Sequence, residues 1–150
     1  SNSELAGLYL PILNGKNIDT SSAYVEKVVS LIKERAVFVK DFWELSSYFF
    51  ETPSNYDEKA SKKQWKPETG ALMSELLSVI SSVEDFSSIT IETKVKEWIS
   101  IKEVGFGKVM QPLRLSLVGA MKGPHLFDII EMIGKEETLY RIKIITTKLS

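Results

Sequence analysis

The sequence predicts an all-α protein built from two packed helical-bundle lobes, and three observations support this fold class. Apolar residues recur at the three- and four-residue spacing of an α-helix almost throughout the chain. The 150 residues are 43% hydrophobic and 26% charged, which is enough to build one core or two small ones. Apolar content then collapses between residues 51 and 70. We therefore expect a first lobe with its connector over residues 1–66 and a second lobe over residues 67–150.

The first lobe contains a strongly periodic helix. Thr20, Ser21 and Ser22 precede it, and each is a favourable N-cap residue. We expect one helix that runs through Glu34 and Arg35. Its apolar positions are Val25, Val28, Val29, Ile32, Ala36 and Val39.

The same spacing continues beyond this helix until Pro53, either as the same helix bent or as a second helix packed on it. Aromatic residues on this stripe, like Trp98 on a later one, are interpreted as core residues rather than as platforms for stacked bases. The positions on the stripe are Phe38, Phe42, Leu45 and Phe49.

The polar stretch between residues 51 and 70 is interpreted as a connector between the lobes. It contains Pro53, Pro67 and eight charged residues. Trp65 either docks this connector onto a lobe or is exposed.

Two helices are expected next. Pro67 suits the first turn of one helix, and Thr90 suits the N-cap of the other. Gly105 and Gly107 are expected to end the second of them. The apolar stripes are Leu72, Leu76, Ile80 and Val83, followed by Ile91, Val95, Trp98 and Ile99.

Glycines divide the C-terminal third into shorter helices. A helix is expected over residues 112–118 before Gly119, and another from Gly123-Pro124 to the residue before Gly134. A last helix carries the remaining apolar spacing, although its β-branched tail leaves a terminal strand as the alternative. The apolar positions of this helix are Leu139, Ile142, Ile145 and Leu149.

Composition excludes several protein classes. Without cysteine there are no disulfides and no thiolate metal ligands. The 19 basic and 20 acidic residues exclude a polycationic nucleic-acid binder. No apolar run approaches the roughly 20 residues that span a bilayer, and no secretory leader opens the chain. We expect a cytoplasmic protein without a membrane partner.

No constellation of catalytic residues is present. His125 is the only histidine, so a zinc site or a catalytic dyad would have to use carboxylates alone. The segment Gly105-Phe106-Gly107-Lys108 is too short between its glycines for a phosphate loop, and Val109 follows the lysine in place of Ser or Thr. We expect no catalytic residues and no metal site in these 150 residues.

Arg114 and the Gly123-Pro124 turn form the most informative pair. If Pro112 opens a helix, Arg114 lies in its first turn, where the helix dipole disfavours a cation. A bound anion or hydrogen-bonding partner would explain this, as would a tolerated surface arginine. The backbone N–H groups after Pro124 can donate to phosphates or base edges. The alternative is an ordinary interhelical turn with Leu126 in the core.

The sequence resembles the C-terminal end of bacterial glutamyl-tRNA synthetases over essentially its whole length. The strongest likeness lies in Gly107–Arg114, with further likeness at Gly119, in Gly123-Pro124-His125-Leu126-Phe127 and in Leu139-Tyr140-Arg141-Ile142. Earlier segments follow in the same order, namely Leu5 to Leu13, Lys33-Glu34-Arg35-Ala36, Tyr48-Phe49-Phe50 and Asn55-Tyr56-Asp57.

This resemblance implies an all-helical anticodon-binding region that binds the anticodon loop of glutamate tRNA. The parent enzyme activates glutamate with ATP and Mg²⁺ in a Rossmann domain, whose HIGH-like and KMSKS-like signatures are absent here. The fragment itself is then expected to need no cofactor, to bind no DNA and to be a monomer. The runner-up function is a helical protein-interaction module without RNA binding, consistent with a pI near 5.9.

The resemblance also implies roles for individual residues. Arg114, Gly123, Pro124 and Leu126 correspond to positions that contact anticodon bases. Arg35 is the candidate for sensing the third anticodon base, although a solvated surface residue is the alternative.

Five lysines and His125 are considered as further contacts to a nucleic acid. Lys108 and Lys122 are candidate phosphate contacts. The connector lysines Lys62, Lys63 and Lys66 are interpreted as a solvated linker, with phosphate contacts as the alternative. His125 either stacks on a base or faces solvent.

Overall fold

The structure is a computed structural model that describes residues 1–150, and it is helical with no β-strand. Eight α-helices and three short 3-10 helices follow one another along the chain. The all-α prediction is therefore confirmed, and the suggested C-terminal strand is instead part of the last helix. The chain forms two compact units, Ser1–Glu51 and Thr52–Ser150. No helix is both long enough and apolar enough to cross a membrane.

The first unit contains α1 (Asn2–Gly15), α2 (Ser22–Ile32) and α3 (Phe42–Ser46). The α2 helix begins where the sequence predicts, since the Ser21 hydroxyl accepts a hydrogen bond from the Tyr24 N–H at 3.1 Å. Tyr9 lies at the centre of this unit, edge-on to Phe42. Its hydroxyl is hydrogen-bonded to the Ser46 hydroxyl at 2.8 Å, and burial raises its pKa to about 12.

The predicted continuation of α2 through Arg35 is wrong, because regular helix ends at Ile32 and a 3-10 turn covers Lys33–Arg35. A competing cap explains the break: the Asp41 carboxylate accepts hydrogen bonds from the N–H groups of Val37 and Phe38. The helical period is lost there, so Phe38 is 60% exposed rather than buried in the core. The buried residues on the predicted stripes include Val25, Val28, Val29, Ile32, Phe42 and Phe49.

The second unit contains the remaining helices. These are α4 (Glu58–Gln64), α5 (Thr69–Ser81), α6 (Ser88–Lys102), α7 (Phe106–Val118) and α8 (Leu126–Leu149). The α8 helix is interrupted at Gly134, whose φ of 86° and ψ of 167° are not helical, as the sequence predicts. The core forms between α5, α7 and α8, and its fully buried residues include Leu76, Ile80, Leu113, Leu117, Ile129 and Ile145.

Three predicted helix ends in this unit are wrong. The N-cap of α6 is Ser87 rather than Thr90, since the Ser87 hydroxyl accepts from the Thr90 N–H. The α6 helix ends at Lys102, and Gly105 is the N-cap of α7 rather than a stop signal. The α7 helix therefore starts well before Pro112. This proline lies inside the helix, which lacks one backbone hydrogen bond there because proline has no N–H.

The connector belongs to the second unit, so the division after Glu51 lies earlier than the predicted boundary after residue 66. A short helix forms there because the Asp57 carboxylate caps it through the Ala60 N–H at 2.8 Å. Trp65 docks onto the core of this unit, where it packs against a cluster of Ala60, Leu115 and Ile145. Its indole N–H donates to the Ser150 hydroxyl at 3.2 Å.

Candidate nucleic-acid interface

Residues 119–125 connect α7 to α8 and form a sharp turn, called the corner below. Arg114 on α7 closes it, because its Nη1 donates to the Lys122 carbonyl at 2.9 Å and to the Pro124 carbonyl at 3.0 Å. Gly123 lies between these two carbonyls with a φ of 104°, which favours glycine. One guanidinium thus fixes the backbone on both sides of Gly123.

The position of Arg114 differs from the predicted one. It lies in the C-terminal half of α7, where the helix dipole does not oppose a cation, so the predicted conflict between Arg114 and the helix dipole does not exist. What holds it in place is the pair of corner carbonyls. Both carbonyls belong to the turn between α7 and α8, so their positions depend on how that turn folds.

The corner ends in the first turn of α8. Pro124 is buried, and Leu126 is only 3% exposed, so the Leu126 side chain packs in the core. His125 is the N-cap and provides no side-chain cap. The N–H groups of Leu126 and Phe127 precede the first helical hydrogen bonds, because His125 O accepts from Asp128 and Ile129. The Leu126 side chain is therefore not exposed at the surface of the corner.

His125 ties the corner to α6. Its Nε2 lies 3.0 Å from Oε1 of Glu92, whose other oxygen lies 2.6 Å from Nζ of Lys96. The hydrogen bond from Lys96, assisted by the one to His125, holds the pKa of Glu92 below its ordinary value. The His125 ring is half-exposed and has this carboxylate partner. Sequence reasoning missed Glu92, because it lies on a different helix from the corner.

Arg141 binds the C-terminal end of α7, just before the corner, and was not identified as a structural residue from the sequence. It is 2% exposed, and its Nη1 donates to the Leu117 carbonyl at 2.7 Å, near the end of α7. Its Nε donates to Glu137 at 2.6 Å, and that carboxylate also accepts from the Thr52 hydroxyl. The sequence offered one signal for a buried role, namely that this arginine lies next to the apolar stripe of the last helix.

Gly119 brings the connector against the corner. Its φ is 85°, and a Cβ placed on it would lie 2.7 Å from the Asn55 carbonyl oxygen. The Asp57 N–H donates to the Gly119 carbonyl at 2.8 Å. The predicted helix stop at Gly119 is confirmed, and the residue also permits this close approach.

The remaining cations lie in three places. Lys122 is exposed on the corner itself. Lys108 is exposed in the first turns of α7, where it lines a cleft of about 360 Å³ together with Lys63 and Lys66. Arg35 belongs to the first unit, where it is exposed and donates to the Leu31 carbonyl at 3.3 Å. The structure thus groups Arg114, Lys122, Gly123, Pro124 and Leu126 at one place.

No metal centre is built by these residues. The structure contains no group of three or more histidine, aspartate or glutamate side chains that could hold a metal ion.

Comparison with known proteins gives consistent results. A family model described as the anticodon binding domain matches residues 4–146. A glutamate–tRNA ligase of Flavobacterium johnsoniae is 59% identical over 143 residues, or 95% of this chain and 28% of the relative. The glutamate–tRNA ligase of Flavobacterium psychrophilum is 60% identical over 141 residues, or 94% of this chain and 28% of the relative.

Two solved structures have the same fold as this chain. One is a glutamate tRNA ligase from Elizabethkingia meningosepticum in complex with its amino acid. It matches with a TM-score of 0.94 at 45% identity, over 100% of this chain and 30% of that one. The glutamate–tRNA synthetase of Elizabethkingia anophelis matches with a TM-score of 0.87 at 43% identity, over 98% of this chain and 28% of that one. The chain spans about 28% of the length of the curated relatives it matches.

Proposed function

The chain belongs to the anticodon-binding domain family, and from this membership we propose that it recognises the anticodon loop of glutamate tRNA as part of a longer glutamate–tRNA ligase. The observation that carries the proposal is the corner closed by Arg114, in a chain matched by the family over residues 4–146. The alternative of a helical protein-interaction module without RNA binding has no comparable support.

In this proposal the corner reads unstacked anticodon bases. Sequence-specific recognition of RNA uses hydrogen bonds to the edges of bases splayed out of the stack. Arg114 contacts bases and keeps the corner in shape. Gly123 and Pro124 form its rim, where the missing side chain of Gly123 lets a base approach the backbone. Leu126 contributes by fixing the first turn of α8 against the core, since its side chain is buried.

Other residues have supporting roles in the proposal. Lys122 and Lys108 bind phosphates, which strengthens binding without reading sequence. Arg35, exposed in the first unit, senses the third anticodon base. These roles place base reading and backbone binding on different residues.

In this proposal the catalytic reaction takes place in the rest of the parent protein. Glutamate activation and transfer to tRNA need ATP and Mg²⁺, and we assign neither to any residue of this chain. The chain orients the tRNA so that its acceptor end reaches the catalytic region. We place the protein in the cytoplasm, where tRNA is charged, as a monomer with tRNA as its partner.

A fluorescence titration tests the proposal directly. The chain is titrated with the anticodon stem-loop of glutamate tRNA and with the same hairpin carrying a changed middle anticodon base. We expect tighter binding of the unchanged hairpin, since each good contact to a base edge discriminates by about 1–3 kcal/mol. Equal affinity for both hairpins would contradict the proposal.

A further inference from the structure

A second positively charged surface lies at the other end of α7 from the corner. It is a cleft of about 360 Å³, called the lysine cleft below, between the α4–α5 turn and the first turns of α7. The residues that define it are Lys63, Lys66, Glu68, Gly107, Lys108 and Gln111. Three lysines and one carboxylate therefore share one concavity in a chain whose net charge is −1.

The three lysines differ from others nearby in having no acidic partner. Lys62 pairs with Glu58 at 3.2 Å, and Lys102 pairs with Glu75 at 2.8 Å. None of the ion pairs in the structure includes Lys63, Lys66 or Lys108. Like charges held in one cleft repel one another, and a bound anion relieves that repulsion.

Gly107 is a second unusual feature of the cleft. It is the second residue of α7, and glycine is a less favourable helix residue than alanine. Its φ is not positive, and an added Cβ would meet only Cγ of Gln111 at 4.0 Å. The fold therefore does not require glycine here, but its missing side chain leaves the cleft open to a bulky ligand.

The cleft and the corner lie along one side of the same helix. Gly107, Gln111 and Arg114 are spaced at i, i+4 and i+7, so they share a face of α7. With a rise of 1.5 Å per residue, about 10 Å separates Gly107 from Arg114 along the axis. At about 3.4 Å per nucleotide along one helical strand, about three successive nucleotides span such a distance.

We propose that the lysine cleft binds the sugar–phosphate backbone of the RNA whose bases are read at the corner. This inference rests on the proposed function, since it takes the ligand to be the same strand. The cleft contributes affinity that does not depend on sequence, while the corner contributes discrimination. The connector lysines, interpreted from the sequence as a solvated linker, are then part of the interface.

Salt dependence tests the inference. The affinity of the chain for the anticodon hairpin is measured over a range of salt concentrations, for the wild type and for Lys63→Gln/Lys66→Gln/Lys108→Gln. Each lost phosphate contact lowers the slope of log affinity against log salt by about 0.7–0.9, so we expect a total drop of about 2. The ratio of affinities for the unchanged and changed hairpins should stay the same.

A matched control removes three positive charges outside the cleft. Lys62, Lys102 and Lys148 suit this purpose, because the first two have carboxylate partners and the third lies over the Tyr56 ring at 5.8 Å. Their joint change to Gln should lower the slope clearly less. A cleft variant with the wild-type slope, or a control with an equal drop, would overturn the inference.

Gly107→Leu provides a variant that blocks the cleft without changing charge. We expect it to weaken binding of both hairpins equally while its melting temperature stays at or above that of the wild type. Unchanged binding by this variant would count against the cleft.

The outcomes separate the two proposals. If the wild type does not distinguish the hairpins, base reading fails, yet the slopes still decide whether the cleft binds backbone. If it distinguishes them and the cleft variants behave as wild type, only the cleft fails. Absence of hairpin binding at every salt concentration would overturn both.

Discussion

The two ends of α7 are built in opposite ways. At the C-terminal end, Arg114 holds two corner carbonyls, Arg141 holds the last turn of the helix, and Gly119 is in close contact with the connector. At the N-terminal end, Gly107 has little around it, and Lys108 takes part in no ion pair. One end is fixed by internal hydrogen bonds, and the other is open and charged.

In the proposed function, this difference corresponds to the two tasks of an RNA interface. A hydrogen bond to a base edge discriminates only if its donors are held in place beforehand. A phosphate contact requires positive charge and tolerates a flexible lysine. We therefore expect substitutions at the C-terminal end of α7 to lower the free energy of unfolding and the discrimination between bases. Substitutions at the N-terminal end should lower neither.

The largest expected effect comes from Arg141→Ala. This change leaves the buried Leu117 carbonyl without the Arg141 donor and removes from the Glu137 carboxylate its charged partner, so that only the Thr52 hydroxyl still donates to it. Removing one partner of a buried ion pair typically costs about 3 kcal/mol. We expect a loss of that size in the free energy of unfolding measured with urea.

A neighbouring lysine provides the control for Arg141. Lys143→Ala removes an exposed cation from the same helix and should change the free energy of unfolding by less than about 0.5 kcal/mol. A loss below about 1 kcal/mol for Arg141→Ala would show that the last turn of α7 does not depend on this residue.

A smaller effect is expected from Gly119→Ala. An alanine there would combine a φ of 85° with a Cβ 2.7 Å from the Asn55 carbonyl oxygen. Because the clashing atom belongs to the backbone, it cannot move aside as the end of a flexible side chain could. We expect a loss of about 2 kcal/mol in the free energy of unfolding. Urea or thermal unfolding followed by circular dichroism measures it.

Gly107→Ala is the matched comparison at the other end of α7. It should leave stability unchanged or raise it by up to about 1 kcal/mol, because alanine is the better helix former and space is available. Equal losses at the two glycines would contradict the contrast between the two ends.

Local signals in the sequence predicted much of the fold. The Ser21 cap, the Gly119 stop and the break at Gly134 each depend on the conformational preferences of one residue, and each is found in the structure. The buried stripes of α2 and α5 were predicted because one helix face meets the core throughout.

The errors arise where another residue competes for the backbone. Asp41 caps the segment around Phe38 and ends the helical period, which spacing alone does not reveal. Gly105 can end one helix or begin the next, and it begins α7 here. Ser87 and Thr90 both carry a hydroxyl that can cap a helix, and in α6 it is the Ser87 hydroxyl that accepts a hydrogen bond from a backbone N–H.

The candidate site was predictable only in part. The resemblance pointed to Arg114 and to the turn at Gly123-Pro124, which the structure brings together. Its contacts to Glu92 and Arg141 come from distant parts of the chain, and tertiary packing alone creates them. The lysine cleft likewise forms only when the α4–α5 turn packs beside α7.

One measurement tests the division between base reading and backbone binding most directly. Wild type, Arg114→Ala and Lys108→Ala are each titrated with the unchanged hairpin and with the hairpin carrying a changed middle anticodon base, at one salt concentration. Arg114→Ala should weaken the unchanged hairpin by about 1–3 kcal/mol and abolish most of the discrimination, whereas Lys108→Ala should weaken both hairpins equally. Equal losses on both hairpins for both variants would contradict the account.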